Sequence, residues 1–236
     1  MSVTTDQFEK RSEQLRASLV EQGGRVSHLL EQSIVSAFET DRSKAQWVID
    51  NDTPVDMVDI QVERDAVRLL WDIAQSAVEL TPDQLRMILT IVKVNNELER
   101  IADCAVEIAE RVVSDTIACS QMPSRLRLMA NSVLGILQNT CRSFELLDTD
   151  LAKVVLASSD ATQAFETEIL REIQRMVSSQ EIELDPAFTQ QAIAIELERV
   201  GDHCTNVAEQ VIYVTTGNIV RHTEGHWTHP EPPPVD

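Results

Sequence analysis

The sequence predicts an all-α protein made of two tandem antiparallel three-helix bundles. Of its 236 residues, 43% are hydrophobic, only 4% are aromatic and just 6 are glycine. Sheets need aromatic and β-branched strands joined by glycine-rich turns, so this composition favours long helices. A self-similar segment recurs after about 100 residues, which indicates that the bundle occurs twice.

Prolines and capping residues mark the helices in order along the chain. A threonine precedes Pro54 and Pro82, an aspartate precedes Pro186, and each pair is typical of a helix N-terminus. Gly217 is suited to a left-handed C-cap. Long helices with short connections are typical of antiparallel bundles. The predicted helices span residues 4–40, 42–51 running into 54–79, 82–118, 123–147, 149–179 and 186–216.

Two segments of the chain match at an offset of 99 residues, the separation between Asp103 and Asp202. They read NELERIADCAVEIAERV and AIELERVGDHCTNVAEQV. We therefore predict a first bundle over residues 1–120 and a second over residues 121–217. Residues 218–236 are rich in Pro and His and have little apolar material to pack, so we expect a disordered tail.

The charge balance excludes several classes of partner. Asp and Glu number 39 against 20 Lys and Arg, a formal net charge of −19 at pH 7. Nucleic acids and anionic lipid surfaces require a positive protein surface, so we expect neither nucleic-acid binding nor direct membrane insertion. No stretch approaches the ~18 apolar residues of a membrane span. The four cysteines form no C-x-x-C pair, and we expect a cytoplasmic protein with reduced thiols.

Carboxylates recur on one face of the third helix of each bundle. On a helical wheel of about 100° per residue they form a narrow stripe beside the apolar arc. Like charges one turn apart destabilise a helix by a few tenths of a kcal/mol, whereas oxygen donors bind Mg²⁺, Mn²⁺, Fe or Zn²⁺. The stripes are therefore candidate metal sites. Their residues are Glu99, Asp103, Glu107 and Glu110 in the first bundle and Glu198, Asp202, Asn206 and Glu209 in the second. The core residues of the adjoining arcs include Leu98, Ile101, Ile108, Leu197, Val200 and Val207.

Three alternatives to a regulatory metal site stay open for these stripes. Arg100 and Arg199 each precede a stripe aspartate by three residues, so intrahelical ion pairs could leave an ordinary solvated face. A carboxylate-bridged metalloenzyme and a purely structural helical scaffold are the two others. His203 follows Asp202 directly and points to a different face, so we expect it at a surface or an interface rather than at a metal.

The second repeated segment resembles the signature of a known family. LERVGDHCTNVAEQV, which begins at Leu197, closely resembles LERIGDHATNIAE of the PhoU family. The first copy, LERIADCAVEIAE, is a looser match, with Ala102, Cys104 and Glu107 in place of Gly, His and Asn. Two further segments of the chain also resemble the family. They are LTPDQLRMI, which contains Arg86, and AQWVIDNDTPVD.

The resemblance implies two three-helix bundles side by side and an adaptor rather than an enzyme. The family connects the ATPase subunit of a phosphate ABC transporter to a sensor histidine kinase and represses the phosphate-starvation response when phosphate is ample. We therefore expect a cytoplasmic regulator of phosphate uptake that binds divalent or transition metal ions and forms a homodimer. The family's metal motifs correspond to Glu99, Asp103, Glu198 and Asp202, and its motif arginines to Arg86, Arg100 and Arg199.

The second metal motif is closer to the family pattern than the first. We therefore expect Asp202→Asn to weaken metal binding more than Asp103→Asn.

Overall fold

Every regular element of the structure is a helix in the part of the chain that the computed structural model describes, residues 4–114 and 122–220. This confirms the all-α prediction. Within the same residues, no helix combines the length and the hydropathy that crossing a bilayer requires. The helices are α1 (Thr5–Glu39), α2 (Arg42–Asp50), α3 (Thr53–Ala74), α4 (Pro82–Ser114), α5 (Ser124–Leu146), α6 (Thr149–Leu156), α7 (Ser159–Ser178) and α8 (Leu184–Thr216).

The order of helix lengths is the same in α1–α4 as in α5–α8. In each set a long helix is followed by a short one, a medium one and a second long one. We call the two sets the first and second repeat. The predicted end of α4 at residue 118, the predicted boundary at residue 120 and the tail from residue 221 onward lie outside the described residues.

The prediction of one continuous helix over 149–179 is wrong, because the chain turns between α6 and α7. The N–H of Ala157 donates to the carbonyl of Lys153, and the N–H of Ser158 reaches only three residues back, to Val155. The Ser158 hydroxyl donates to the same Val155 carbonyl at 2.6 Å. Serine competes in this way for backbone acceptors and favours turns over helix interiors. Each repeat therefore has a broken second helix.

The helices α4 and α8 form the centre of the molecule. α4 packs on α1, α2 and α3, α8 packs on α5, α6 and α7, and the two pack on each other. They run antiparallel, since Glu97 of α4 contacts His203 of α8 whereas Cys104 lies near Glu196. All six residues predicted for the core are buried, which confirms the orientation of both wheels. They are Leu98, Ile101, Ile108, Leu197, Val200 and Val207.

Several helix caps follow the local sequence, and one N-cap residue without a capping bond concerns function. Thr4 forms a capping box with Gln7 at the start of α1, and Asp41 caps α2 through the N–H groups of its first turn. Gly217 ends α8 at φ 76°, as predicted. Asp52, by contrast, occupies the N-cap position of α3 without a side-chain capping bond, so its carboxylate is available for another partner.

Three cysteines of the described chain are free thiols, as predicted. Cys104 and Cys204 are buried, and Cys141 is partly buried. Burial is the largest cause that raises the pKa of Cys104 to about 12, and it also raises the pKa values of Cys141 and Cys204. All three thiols are therefore protonated and unreactive in the folded protein. The fourth cysteine, Cys119, lies outside the described residues.

The core assignment makes a direct stability prediction. Ile108→Ala should lower the free energy of unfolding by about 2–5 kcal/mol, because a fully buried side chain is removed and its site collapses only partly. Chemical denaturation monitored by circular dichroism measures the loss. The control is Arg111→Ala on the exposed side of α4, which should change stability by less than about 0.5 kcal/mol. Equal effects of the two substitutions would show that the wheel of α4 is rotated.

Candidate metal centre

Carboxylates from α3 and α4 face each other across the interface of these two helices. Asp52, Asp56 and Asp59 lie on the α3 side, and Glu99 and Asp103 lie on the α4 side. Each of the five repels at least one carboxylate of the opposite helix. We call these five residues the first acidic cluster. It combines two residues of the predicted stripe with three that the stripe did not include.

Burial and mutual repulsion disfavour the ionised state of this cluster. Burial, followed by the Asp56 and Asp103 carboxylates, raises the pKa of Asp52 to about 6. Burial is also the largest cause of the raised pKa values of Asp59, Glu99 and Asp103, and nearby carboxylates add to it. A cation bound here would relieve this repulsion and favour the ionised carboxylates.

Two acceptor oxygens at the first acidic cluster have no hydrogen-bond partner in the described structure. One is Oδ1 of Asp52 and the other is Oδ1 of Asn95, and both atoms are buried. The amide nitrogen of Asn95 donates to Asp59, to its Oδ1 at 2.6 Å and to its carbonyl at 3.0 Å. A buried acceptor without a donor is costly. An electropositive group bound near these two oxygens would supply the partner that they lack.

The second repeat forms a smaller cluster from the corresponding helices. Glu198 and Asp202 of α8 lie near Glu166 of α7. Burial raises the pKa of Glu198, and the Asp202 and Glu166 carboxylates raise it further. We call these three residues the second acidic cluster. Like the first, it pairs the two predicted motif carboxylates with a carboxylate from the preceding helix.

The two clusters differ because the second repeat lacks two of the carboxylates. Matching the buried positions of α3 and α7 aligns Asp59 with Glu166. It places Ser159 and Gln163 where the first repeat has Asp52 and Asp56. The second cluster therefore carries less negative charge and fewer anionic oxygen donors. The buried pairs used for this match are Val55 with Thr162, Val62 with Ile169, and Leu69 with Met176.

The remaining stripe residues lie outside the two clusters. Glu107 and Glu110 are exposed on α4, where Glu107 attracts Arg199 of the other repeat. Asn206 and Glu209 line a groove between α4 and α8. The single-helix wheel grouped these residues with the motif carboxylates because it contains no information about neighbouring helices.

The motif arginines make contacts other than the predicted ones. Arg100 donates from Nε to the Asn96 side chain at 3.1 Å. Arg199 forms an ion pair with Glu196 at 2.7 Å between Nη1 and Oε2. Within the described residues, neither arginine pairs with the aspartate three residues further along its helix. Both arginines still attract Asp103 and partly offset the rise of its pKa, but in this part of the chain neither forms the intrahelical ion pair that would have explained the stripes.

Arg86 has a structural position at the end of α8. It forms an ion pair with Asp83 one turn earlier. Its guanidinium carbon would lie 3.5 Å from a Cβ added to Gly217. A cation at a helix C-terminus interacts favourably with the helix dipole. Arg86 thus connects the start of α4 to the end of α8 and is not part of either acidic cluster.

His203 lies in the interface between the repeats, as expected. Its Nδ1 is 2.8 Å from Oε2 of Glu97, and Nδ2 of Asn206 donates to the same oxygen at 3.1 Å. Burial opposes ionisation of Glu97, but the hydrogen bonds from His203 and Asn206 outweigh it and lower its pKa. These three side chains connect α4 to α8. His203 contacts Glu97, so the candidate ligands of the metal motifs are all oxygen atoms.

The donor set fits a hard or borderline cation. Every donor in the two acidic clusters is an oxygen, which suits Mg²⁺, Mn²⁺, Fe and Zn²⁺ to different degrees. As the side chains lie, no group of three or more His, Cys, Asp or Glu within residues 4–114 and 122–220 is close enough to hold an ion. Holding one would require the partly exposed carboxylates to rotate towards it.

Known proteins share this sequence pattern over most of both repeats. A family model described as PhoU domain matches residues 19–112 and 126–211. The chain belongs to the PhoU family. The two matched segments coincide with the repeats seen in the fold, and each includes one pair of motif carboxylates.

Relatives of this PhoU-family chain extend over nearly its whole length. The phosphate-specific transport system accessory protein PhoU homolog 1 of Thermotoga maritima is 30% identical over 212 residues, 89% of either chain. PhoU of Escherichia coli strain K12 is 26% identical and covers 93% of this chain and 89% of its own. The crystal structure of PhoU from Pseudomonas aeruginosa matches with a TM-score of 0.82 and 26% identity, over 90% of this chain and all of that one.

The structure explains one difference between the two copies of the PhoU signature. A Cβ added to Gly201 would lie 3.0 Å from the Thr162 methyl group of α7, which is tighter than ordinary contact. Ala102 occupies the corresponding place in the first repeat and is buried. There α3 has Val55 where α7 has Thr162. The close approach of α7 therefore favours glycine in the second copy.

Sequence reasoning missed the carboxylates that the preceding helices contribute. Asp52, Asp56, Asp59 and Glu166 complete the two acidic clusters, and none of them belongs to the predicted stripes. The signal was present, since the aspartates of α3 recur at spacings of four and three residues and so share one helix face. A wheel of the second helix would have shown them. The wheel alone would not have shown that this face meets α4.

The raised pKa of Asp52 predicts a pH-dependent stability in metal-free protein. In the unfolded chain Asp52 loses its proton near its ordinary pKa of about 4. In the folded state it keeps the proton up to its raised pKa of about 6. Asp52 therefore stabilises the fold at low pH, and that stabilisation is lost as pH rises through about 6. Asp52→Asn should raise the free energy of unfolding at pH 7 by up to about 1 kcal/mol, a solvent-screened value, and should give no gain at pH 4.

Denaturant unfolding in the presence of EDTA at both pH values measures this difference. Glu110→Gln is the control, because it removes an exposed carboxylate of α4 that lies outside the cluster. A stabilisation by Asp52→Asn that is equal at the two pH values would contradict the assignment.

Proposed function

We propose that this chain is a non-catalytic accessory regulator of phosphate transport. The observation that carries the proposal is the match to the PhoU family over both repeats, together with relatives named as accessory proteins of phosphate-specific transport systems. The fold supports it, because the chain covers the whole of the Pseudomonas aeruginosa PhoU structure. In this role the protein recognises other proteins and changes no substrate.

The proposed partners are the ATPase subunit of a phosphate ABC transporter and a sensor histidine kinase. In this proposal the chain acts in the cytoplasm as a homodimer and keeps the kinase from triggering the starvation response when phosphate is ample. The two long central helices support such a role, since they join the two repeats through one continuous core. A rigid adaptor of this kind can hold two partners in a fixed relation.

We further propose that the acidic clusters bind divalent or transition metal ions. In the first repeat, Asp52, Asp56, Asp59, Glu99 and Asp103 would hold the ion, which would supply positive charge between α3 and α4. The raised pKa values and the partnerless Asp52 oxygen support this site. In the second repeat, the smaller cluster would bind more weakly, because it has fewer anionic ligands.

This ranking reverses the expectation from the motifs alone. The second signature is closer to the family pattern, yet the first site has more carboxylates around its motif. Asp103→Asn should therefore weaken metal binding more than Asp202→Asn.

Titration calorimetry with Mn²⁺, Zn²⁺ and Mg²⁺ tests the metal sites. We expect wild-type protein to bind at least one of these ions, Asp103→Asn to lower the affinity about tenfold or more, and the double variant to bind least. Three tail histidines are replaced by glutamine in every sample, so that they cannot bind metal. These are His222, His226 and His229.

Exposed carboxylates outside the clusters provide the control. Glu110→Gln removes one negative charge from α4 and should leave the affinity unchanged. If wild-type and doubly substituted protein bind equally, the site assignment fails. If wild-type protein binds none of the ions, the clusters are ordinary solvated faces.

Deletion of the gene tests the regulatory role. Cells that lack the protein should express phosphate-starvation genes in phosphate-rich medium, because the kinase is no longer restrained. Transcript levels in rich and poor medium measure the effect, and a plasmid copy of the gene should restore repression. Unchanged transcript levels in the deletion strain would refute the proposed function without bearing on the metal sites.

A further inference from the structure

The outer face of α3 exposes large apolar side chains. Met57, Val67 and Trp71 are each more than 60% exposed, and Ile60 is 40% exposed. Scattered exposed apolar residues are normal, but a contiguous row is a mark of an interaction site. These four residues, together with Arg64 between them, form a line along the helix that we call the α3 seam.

The spacing of the α3 seam predicts the shape of its partner. Its positions follow one another at intervals of three, four, three and four residues. This is the a and d pattern of a coiled coil, a narrow stripe that fits the corresponding stripe of another helix. A flat surface or an extended peptide would not select this period. A helix is therefore the element that best covers the α3 seam.

The charge of the α3 seam predicts the chemistry of that helix. Arg64 lies within the seam and Arg68 borders it, and both side chains are exposed. In the described part of the chain, neither arginine side chain forms a hydrogen bond or an ion pair. They are an unneutralised basic pair in a protein of net charge −19. A partner helix with carboxylates opposite them would complement this charge.

The second repeat provides an internal comparison. At the positions of α7 that correspond to the apolar seam residues, the chain has small or polar side chains. The same fold therefore does not require apolar residues on this face. The apolar part of the α3 seam is specific to the first repeat, whereas its arginines recur on α7 as Arg171 and Arg175. The α7 residues are Ala164, Thr167, Gln174 and Ser178.

We propose that the α3 seam docks an acidic amphipathic helix of another protein. A second copy of this chain fits less well, because a two-fold packing centred on Arg64 would bring the arginines of both copies together. An anionic lipid surface also fits less well, because an extended bilayer would meet the net charge of −19 of the whole protein, whereas a single helix meets only the α3 seam and the residues beside it. The inference rests on the proposed adaptor role, because it assigns that role a docking surface, but it requires neither metal nor phosphate, so the crosslinking test and the gene-deletion test can fail separately.

Site-specific photo-crosslinking in the source organism tests this proposal. The full-length chain carries p-benzoylphenylalanine in place of Val67, and mass spectrometry identifies the crosslinked peptides. We expect adducts with a helical segment of another protein that has apolar residues at three- and four-residue spacing and flanking Asp or Glu. The charge reversal Arg64→Glu/Arg68→Glu should lower the adduct yield about tenfold or more.

Two controls distinguish docking from chance contact. The crosslinker in place of Gln174, the α7 counterpart of Val67, should give no such adduct, and Arg171→Glu on α7 should leave the yield at Val67 unchanged. Thermal unfolding checks that each variant is folded, and Ile60 is the alternative crosslinking position.

Several results would overturn the proposal. These are adducts only with another copy of the chain, a yield that is insensitive to the charge reversal, equal yields at Val67 and Gln174, or no adduct at either seam position. Charge-dependent binding of the purified chain to phosphatidylglycerol vesicles, without protein adducts, would assign the α3 seam to lipid instead.

Discussion

The antiparallel packing of α4 on α8 determines where the polar residues of the molecule lie. Each of these helices also contacts three helices of its own repeat, so its apolar residues are buried on several sides. Charged residues of α4 and α8 that contact other helices lie at the edges of the buried faces. There they meet α3 or α7, or the other central helix. The acidic clusters occupy the first kind of edge, and the Glu97–His203 pair occupies the second. If α4 and α8 separated, Glu97 would lose both of its hydrogen-bond donors.

Much of this arrangement could be predicted from the sequence because it depends on helix periodicity. The wheel placed Ile108 and Val207 in the core, and the repeat placed Glu99 and Asp103 in register with Glu198 and Asp202. Helix periodicity cannot predict contacts that depend on the position of a second helix. It could not show that Asp56 faces Asp103, or that Asn206 turns towards α4. It also missed the turn at Ser158, which results from a local hydrogen bond to the backbone and not from an apolar pattern.

The two repeats share a fold but have diverged on α3 and α7. The buried positions of these helices correspond closely, whereas several exposed positions differ. The first repeat has two additional aspartates towards α4 and an apolar row on the exposed face of α3, whereas the second has neither. Residues of the core are constrained by packing in both copies. The surfaces were free to specialise, so functional differences between the repeats are concentrated on one helix of each.

The buried thiols make the contact between the repeats open to chemical measurement. Cys104 of α4 lies near Glu196 of α8, and Cys204 of α8 lies near Thr140 of α5. Because these thiols are protonated and buried in the folded protein, an alkylating reagent can modify each of them only while the helices that cover it are apart. The labelling rate of Cys104 therefore reports how often the α4–α8 contact opens. An adaptor that transmits a signal by loosening this contact would change that rate, whereas one that acts as a rigid body would leave it constant.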